Sequence, residues 1–190
     1  PVLRDEHHWM HNLPGGMIIG DVLAHPVYLA REFLGDLQPL AIYTRKIGKI
    51  EHVPFDEVHL ILQAEERYAN ITISYNFPRS EVMVDIFGTL ANLHAELFNA
   101  IVFKYRCDLA TAQSNAFQSL TRSLQILSTI PYAGVKVLRG RYGGHGIIIN
   151  KFIESILNDS EPPITVVDGR EVVKVLEKVT PWVAKSKQNF

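Results

Sequence analysis

PGGMIIGDVLAHPVYLAREFLG, residues 14–35, opens on a Pro-Gly-Gly turn and closes on Gly35. Between them apolar residues recur at Ile18, Val22, Leu29 and Phe33, a spacing that predicts a helix capped by Gly35. Pro26 has no amide to give to the carbonyl of Val22, so the helix is expected to kink or loosen one turn before it. Asp21 and His25 stand four apart immediately before that break, which puts a carboxylate and an imidazole on one face. An imidazole titrating near neutrality can exchange a proton with an alcohol, and a carboxylate one turn away can fix its tautomer or stabilise the imidazolium. By spacing alone the pair also reads as an ordinary contact on a helix surface.

Outward from this helix the period changes. From Leu40 onward, residues 41–47, 56–64, 70–77 and 81–87 alternate with period two, as half-buried antiparallel strands do. In NITISYNF, Ile71, Ile73, Tyr75 and Phe77 face one way and Thr72, Ser74 and Asn76 the other. The turn between the second and third strands falls at 65–68, and Pro78 ends the third. Helical spacing returns at 109–130, with Phe117, Leu120, Leu124 and Leu127 on one stripe and Pro131 as the stop. A strand-like piece at 134–138, a helix at 147–157, a loop at 158–163 and an extended piece at 164–167 follow. Asp168 with Glu171 reads as a capping box for a last helix through Val179. Strands and helices in separate runs predict an α+β layer: an open, mainly antiparallel sheet with helices on one face.

Composition narrows the function. The 190 residues carry 19 Lys and Arg against 20 Asp and Glu, a balance of −1 that excludes a basic nucleic-acid footprint spread over the chain. A lone cysteine, Cys107, excludes an internal disulfide and any multi-cysteine zinc site, so a reducing cytoplasm is the expected compartment. No stretch of about 18 uncharged apolar residues is present, so no spanning helix is expected. The length fits one domain. Opening on Pro1 a few residues before a Gly-Gly turn, the chain is expected to lack something upstream, removal of an initiator Met being the alternative.

Two further motifs carry weaker signals. GRYGGHG, residues 140–146, sits between a strand-like piece and a helix but has neither G-x-G-x-x-G nor Gly-Lys-Ser/Thr, so it reads as a turn and not a phosphate cradle. HHWMH brings His7, His8 and His11 together without a carboxylate or cysteine at ligand spacing, so these read as surface or substrate-facing histidines, with no metal expected. Trp9 reads equally as a pocket wall or a buried anchor.

The surroundings of Asp21 and His25 add a resemblance. The 14–35 stretch resembles the helix G-G-x-x-x-x-D-x-x-x-H-P-x-x-L-x-x-x-L-G of the C-terminal domain of the Gfo/Idh/MocA family, named for glucose-fructose oxidoreductase, inositol dehydrogenase and rhizopine catabolism. DEVHLILQAEERYANITISYNFP is similar to that domain's paired strands, VDIFGT at 84–89 to its I-x-I-x-G-T strand, and HGIIINKFIESILNDSEPPITVVDGREVVKVLEKV to its closing helices. The resemblance covers about residues 8–180, in the family's order. It implies a glyceraldehyde-3-phosphate-dehydrogenase-like C-terminal fold and an oxidoreductase moving hydride between NAD or NADP and a sugar, cyclitol or related polyol. His25 falls on the family's acid/base histidine and Asp21 on its assisting aspartate, while Trp9, His8, Tyr28 and His145 would face substrate. The nucleotide would be held mainly by an N-terminal Rossmann domain whose Gly-rich and Glu-Lys-Pro motifs this chain lacks, so the chain alone is expected to be inactive. Self-association through the open sheet face is implied too. Tyr28 and Leu23 depart from the family, which often has Asp and Gly at these positions, and the 109–130 helix replaces strand and loop, as a lid or oligomer element. The rival reading is a non-catalytic binding or oligomerisation module.

Overall fold

A computed structural model of the chain describes residues 9–13, 15–48, 53–77, 80–99, 101–106, 111–138 and 144–186. Among these residues the architecture is α+β, with antiparallel strands in two three-stranded sheets and four α-helices. The contacts divide into two compact units, one made of residues 1–77 and 151–190 and the other of 78–150.

The first unit contains the helix read from residues 14–35. Its start is a π-helical turn, Ile18–Val22, closed by the Leu23 amide donating to the Ile18 carbonyl at 2.8 Å; α1, Ala24–Leu34, then begins afresh. The wide turn sits where the missing Pro26 amide predicts loosening, and Gly35, at φ 84°, ends α1 with its amide on the Arg31 carbonyl. Strands β1 (Gln38–Arg45), β2 (Glu57–Ala64) and β3 (Arg67–Ser74) follow in antiparallel order β1-β2-β3. The β2–β3 turn is tighter than 65–68: Ala64 pairs with Arg67, leaving Glu65 at φ 55° and Glu66 as the loop.

Alternation on β2 sends Val58, Leu60, Leu62 and Ala64 to one face, where Ile71 of β3 joins them. Over that face lie Val27 of α1 and the stripe Val172, Val175, Val179 and Val183 of α4, Val166–Ser186. Each fully buried Val or Leu contributes about 1.5–3 kcal/mol relative to exposure, so this row is the main source of the unit's stability. The opposite face of the sheet presents Tyr43, His59, Tyr68, Asn70 and Thr72 to solvent.

Three sequence expectations fail in α4. The segment 164–167 is not extended, because Val166 and Val167 are already helical. The cap is Thr165 with Asp168, not Asp168 with Glu171: the Thr165 amide and hydroxyl donate to Asp168 Oδ2 at 3.0 and 2.6 Å, and the Asp168 amide donates to Thr165 Oγ1 at 3.2 Å. Both pairs have capping-box spacing, and only backbone register tells them apart. Glu171 instead accepts from Lys174 and Arg170. The helix also passes Val179 and Pro181 and carries Val183 into the buried row.

The second unit holds β4 (Met83–Phe87), β5 (Ala91–Glu96) and β6 (Ile101–Arg106), antiparallel in that order, with α2, Ala112–Leu138, against β6. Strands β5 and β6 are not among the strands expected from the sequence, although ANLHAE alternates apolar and polar residues; in the fold every one of its residues is half-buried. Pro131 does not stop α2, and 134–138, expected as a strand, is its last part; a short apolar run such as VKVL fits either period. Helix α3, Gly144–Leu157, begins three residues earlier than expected, and residues 139–143 of the GRYGGHG region lie outside the described residues.

Candidate active site

The candidate site is built on the Gly-Gly turn. Gly15 and Gly16 have φ of 78° and 71°, in the left-handed region that side chains resist, and a Cβ on Gly15 would meet Ile19 at 2.6 Å. That close approach seats Ile18 and Ile19 in the core, with Leu23 and Val27 continuing the buried side. His25 is left on the outer side of the first turn of α1, exposed to solvent, and Asp21 on the π turn is half-buried. No hydrogen bond joins the two side chains among the described residues. They share a solvent-facing surface rather than a locked dyad.

Asp21 has a neighbour that the sequence reading missed. Tyr75, just past β3, has its phenol pushed up to about 12, first by burial and then by the negative charge of Asp21. At neutral pH it is a protonated hydroxyl beside a carboxylate, a donor available to that carboxylate or to a ligand oxygen. The only signal for it was its place in the alternating NITISYNF run, which says which face it takes but not what it meets.

The end of β3 is itself anchored. Asp56 is fully buried, and its carboxylate accepts from the amides of Ile47 at 2.7 Å and Gly48 at 2.5 Å and from Asn76 Nδ2 at 3.2 Å, while its carbonyl accepts from the Tyr75 amide at 3.0 Å. Burial alone would raise the Asp56 pKa, but these amide donors outweigh it and hold the carboxyl below its usual range. A Cβ on Gly48 would fall 2.3 Å from Asn76 Oδ1 and 2.7 Å from Asp56 Oδ2, so this knot requires glycine there.

On the other side of α1, Arg31 reaches Asp168 Oδ1 of the α4 cap at 2.8 Å. The Thr165 hydroxyl and amide together with Arg31 hold the Asp168 carboxyl down at about 2. Tyr28, expected to face substrate, is half-buried against the core, and its hydroxyl bonds Glu32; burial, then the charges of Glu32 and Asp168, push its pKa up.

The remaining candidates are on other elements. Trp9 is 61% exposed in a short 3-10 turn, Trp9–Asn12. His11, in the same turn, lines a small hollow with Gly15, Gly16 and residues 53–55. His7 and His8 lie outside the described residues. His145 is exposed in the first turn of α3, in the second unit. Among the described residues no three His, Cys, Asp or Glu side chains converge on a metal position. Nor is there a helix long and apolar enough to cross a membrane among them.

Solved structures share this fold. UDP-N-acetylglucosamine 3-dehydrogenase GnnA from Acidithiobacillus ferrooxidans matches 86% of this chain over 46% of its own, with a TM-score of 0.57 and 15% identity. The WlbA dehydrogenase from Bordetella pertussis, solved with NADH and UDP-GlcNAcA, matches 90% of this chain over 45% of its own, with a TM-score of 0.57 and 16% identity. The fold is shared with part of two dehydrogenases. The matched portion is the C-terminal part of each, and the chain spans less than half of their length. No protein-family model matches the sequence, and no curated protein matches it.

Proposed function

We propose that this chain is the substrate-side part of an NAD(P)-dependent oxidoreductase acting on a sugar or related polyol, with His25 as the proton carrier. The observation that supports this most is the exposed His25 on the turn after the π-helical break, one turn from the half-buried Asp21 and its neighbour Tyr75. An alcohol placed against this surface could pass its proton to the imidazole, and the Asp21 carboxylate would stabilise the imidazolium that results. The Tyr75 hydroxyl would hold Asp21 or a substrate oxygen in place. The shared fold with two dehydrogenases whose ligands or names include UDP-sugars favours a sugar carried on a nucleoside diphosphate.

The described residues do not fit the nucleotide: both sheets are wholly antiparallel, and no glycine-rich loop links a strand to a helix in a βαβ unit. NAD or NADP would therefore be held chiefly by protein outside this chain, and when bound it would accept or supply the hydride. The 190 residues by themselves are expected neither to bind dinucleotide nor to turn over. The same lack of a nucleotide cradle is what favours the rival reading, a non-catalytic binding or oligomerisation module.

The deciding experiment is His25→Ala in the enzyme that carries the nucleotide-binding half. Turnover should fall by about 10²–10⁴-fold, the range for a lost general acid or base, while dinucleotide affinity stays within about twofold. Unchanged turnover would remove His25 from the chemistry. If the protein made in cells carries no nucleotide-binding half, the non-catalytic reading replaces the enzyme.

A further inference from the structure

We propose that α2 pairs with α2 of a second copy of this chain, antiparallel about a two-fold axis near residue 122; this goes beyond the oxidoreductase reading and does not rest on it. The helix is turned inside out. Its less exposed side is polar: Ser114, Gln118, Thr121, Gln125 and Thr129. Gln125 accepts from the Lys104 amide of β6 at 3.2 Å, and the Arg122 guanidinium lies over the rings of Phe103, at 4.8 Å, and Tyr105, at 5.9 Å. The apolar stripe points the other way, with Phe117, Leu120, Leu124 and Leu127 each 58–67% exposed. A continuous apolar stripe of this kind on a folded protein marks a contact surface.

Three observations select a second copy as its occupant. The stripe is symmetric about residue 122: in an antiparallel pair Phe117 faces the mate's Leu127, and Leu120 faces the mate's Leu124, so one patch complements itself as a two-fold interface requires. Its spacing of three, four and three residues is that of a paired-helix seam. Arg122 is the one charged residue between 112 and 129 and is directed onto the aromatic rings, so no like charges oppose each other across the seam. The same lack of charge disfavours an anionic membrane surface, which needs a basic polar face. Eight large side chains, four from each copy, bring the contact to the order of 1,000 Å², the lower bound for a specific interface.

Sedimentation of the full chain at about 50 μM tests this, beside the Leu120→Glu/Leu124→Glu double variant. A wild-type dimer that becomes a monomer of unchanged circular dichroism and melting temperature in the variant supports the pairing. A monomeric wild type, or a variant that stays dimeric through another face such as the open β1-β2-β3 sheet, overturns it. So does a variant that loses fold or melting temperature without a change of mass, since the stripe would then be covered within one chain. Register is read by mixing Leu120→Cys and Leu124→Cys chains in a Cys107→Ser background under oxidation. Unlike chains should cross-link in preference to like ones, and the reverse preference overturns the register and with it the two-fold pairing.

Discussion

The two units make different use of the same ingredients, a three-stranded antiparallel sheet and an amphipathic helix. In the first, β2 sends Val58, Leu60, Leu62 and Ala64 to one face, and α1 and α4 bring their apolar stripes onto it. Among the described residues, every member of the buried apolar cluster comes from this unit, and Phe103 is buried apart from it in the other. In the second, Asp85, His94 and Phe103 line up across β4, β5 and β6, with His94 Nδ1 2.7 Å from Asp85 Oδ1 and its ring stacked on Phe103 at 5.8 Å. A sheet row of that composition calls for a polar cover, and α2 supplies one, leaving its leucines outside. Whether a helix hides its apolar stripe thus depends on what the sheet beneath it presents, not on the helix alone.

Substitutions can sharpen or break this contrast. The largest effect is expected from Leu60→Ala in the closed core, a loss of about 2–5 kcal/mol in denaturant unfolding, as for buried leucines elsewhere. Gly48→Ala comes next: its Cβ would intrude on Asp56 and Asn76, and overpacking of this kind costs about 1–3 kcal/mol. Because Tyr75 is tied to the same knot, that variant should also lower its raised phenol pKa, which a spectrophotometric titration would detect.

Acid should act on the first unit through Asp168. Its folded pKa, about 2, lies below the ordinary 3.8, so its contribution is complete above about pH 4 and is lost as pH falls towards 2. Melting temperature followed over that window should drop less steeply in Asp168→Asn, which cannot titrate, and that variant should already be weaker at neutral pH. Equal slopes would mean that the Arg31–Asp168 link between α1 and α4 contributes nothing. The smallest effect is expected in the second unit: Leu90→Ser, at a position 90% exposed, should change stability by no more than about 0.5 kcal/mol. A loss as large as that of Leu60→Ala would show that the second unit also closes a core and would end the contrast.

Much of the fold was legible because it rests on neighbours in sequence. Pro26 has no amide, which alone foretells the loosened turn before it; Gly35 ends α1 at positive φ; the alternation in 56–64 and 70–77 gives the β2–β3 hairpin and the inward face of each strand. The failures have local causes as well. Pro131 and Pro181 each remove one ladder bond but do not outweigh the rest of a long helix. Strands β5 and β6 are only six residues each, and the apolar positions of the alternating ANLHAE are one leucine and two alanines, a weak signal. The pair Asp21 and His25 could be picked out by spacing and resemblance, whereas Tyr75 beside Asp21 could not.

Period, turn chemistry and missing amides act over four or five residues, so the amino-acid order by itself determined where the helix 14–35 breaks, which way β2 and β3 face, and that a carboxylate and an imidazole stand one turn apart. Only the tertiary structure decided that Asp56 gathers the amides of Ile47, Gly48 and Asn76, that Arg31 meets Asp168 from 137 positions away, and that α2 turns its leucines outward. Those outcomes depend on burial and on partners brought together by chain closure. No residue carries information about a distant partner until the sheet and helices have placed the two within hydrogen-bonding reach.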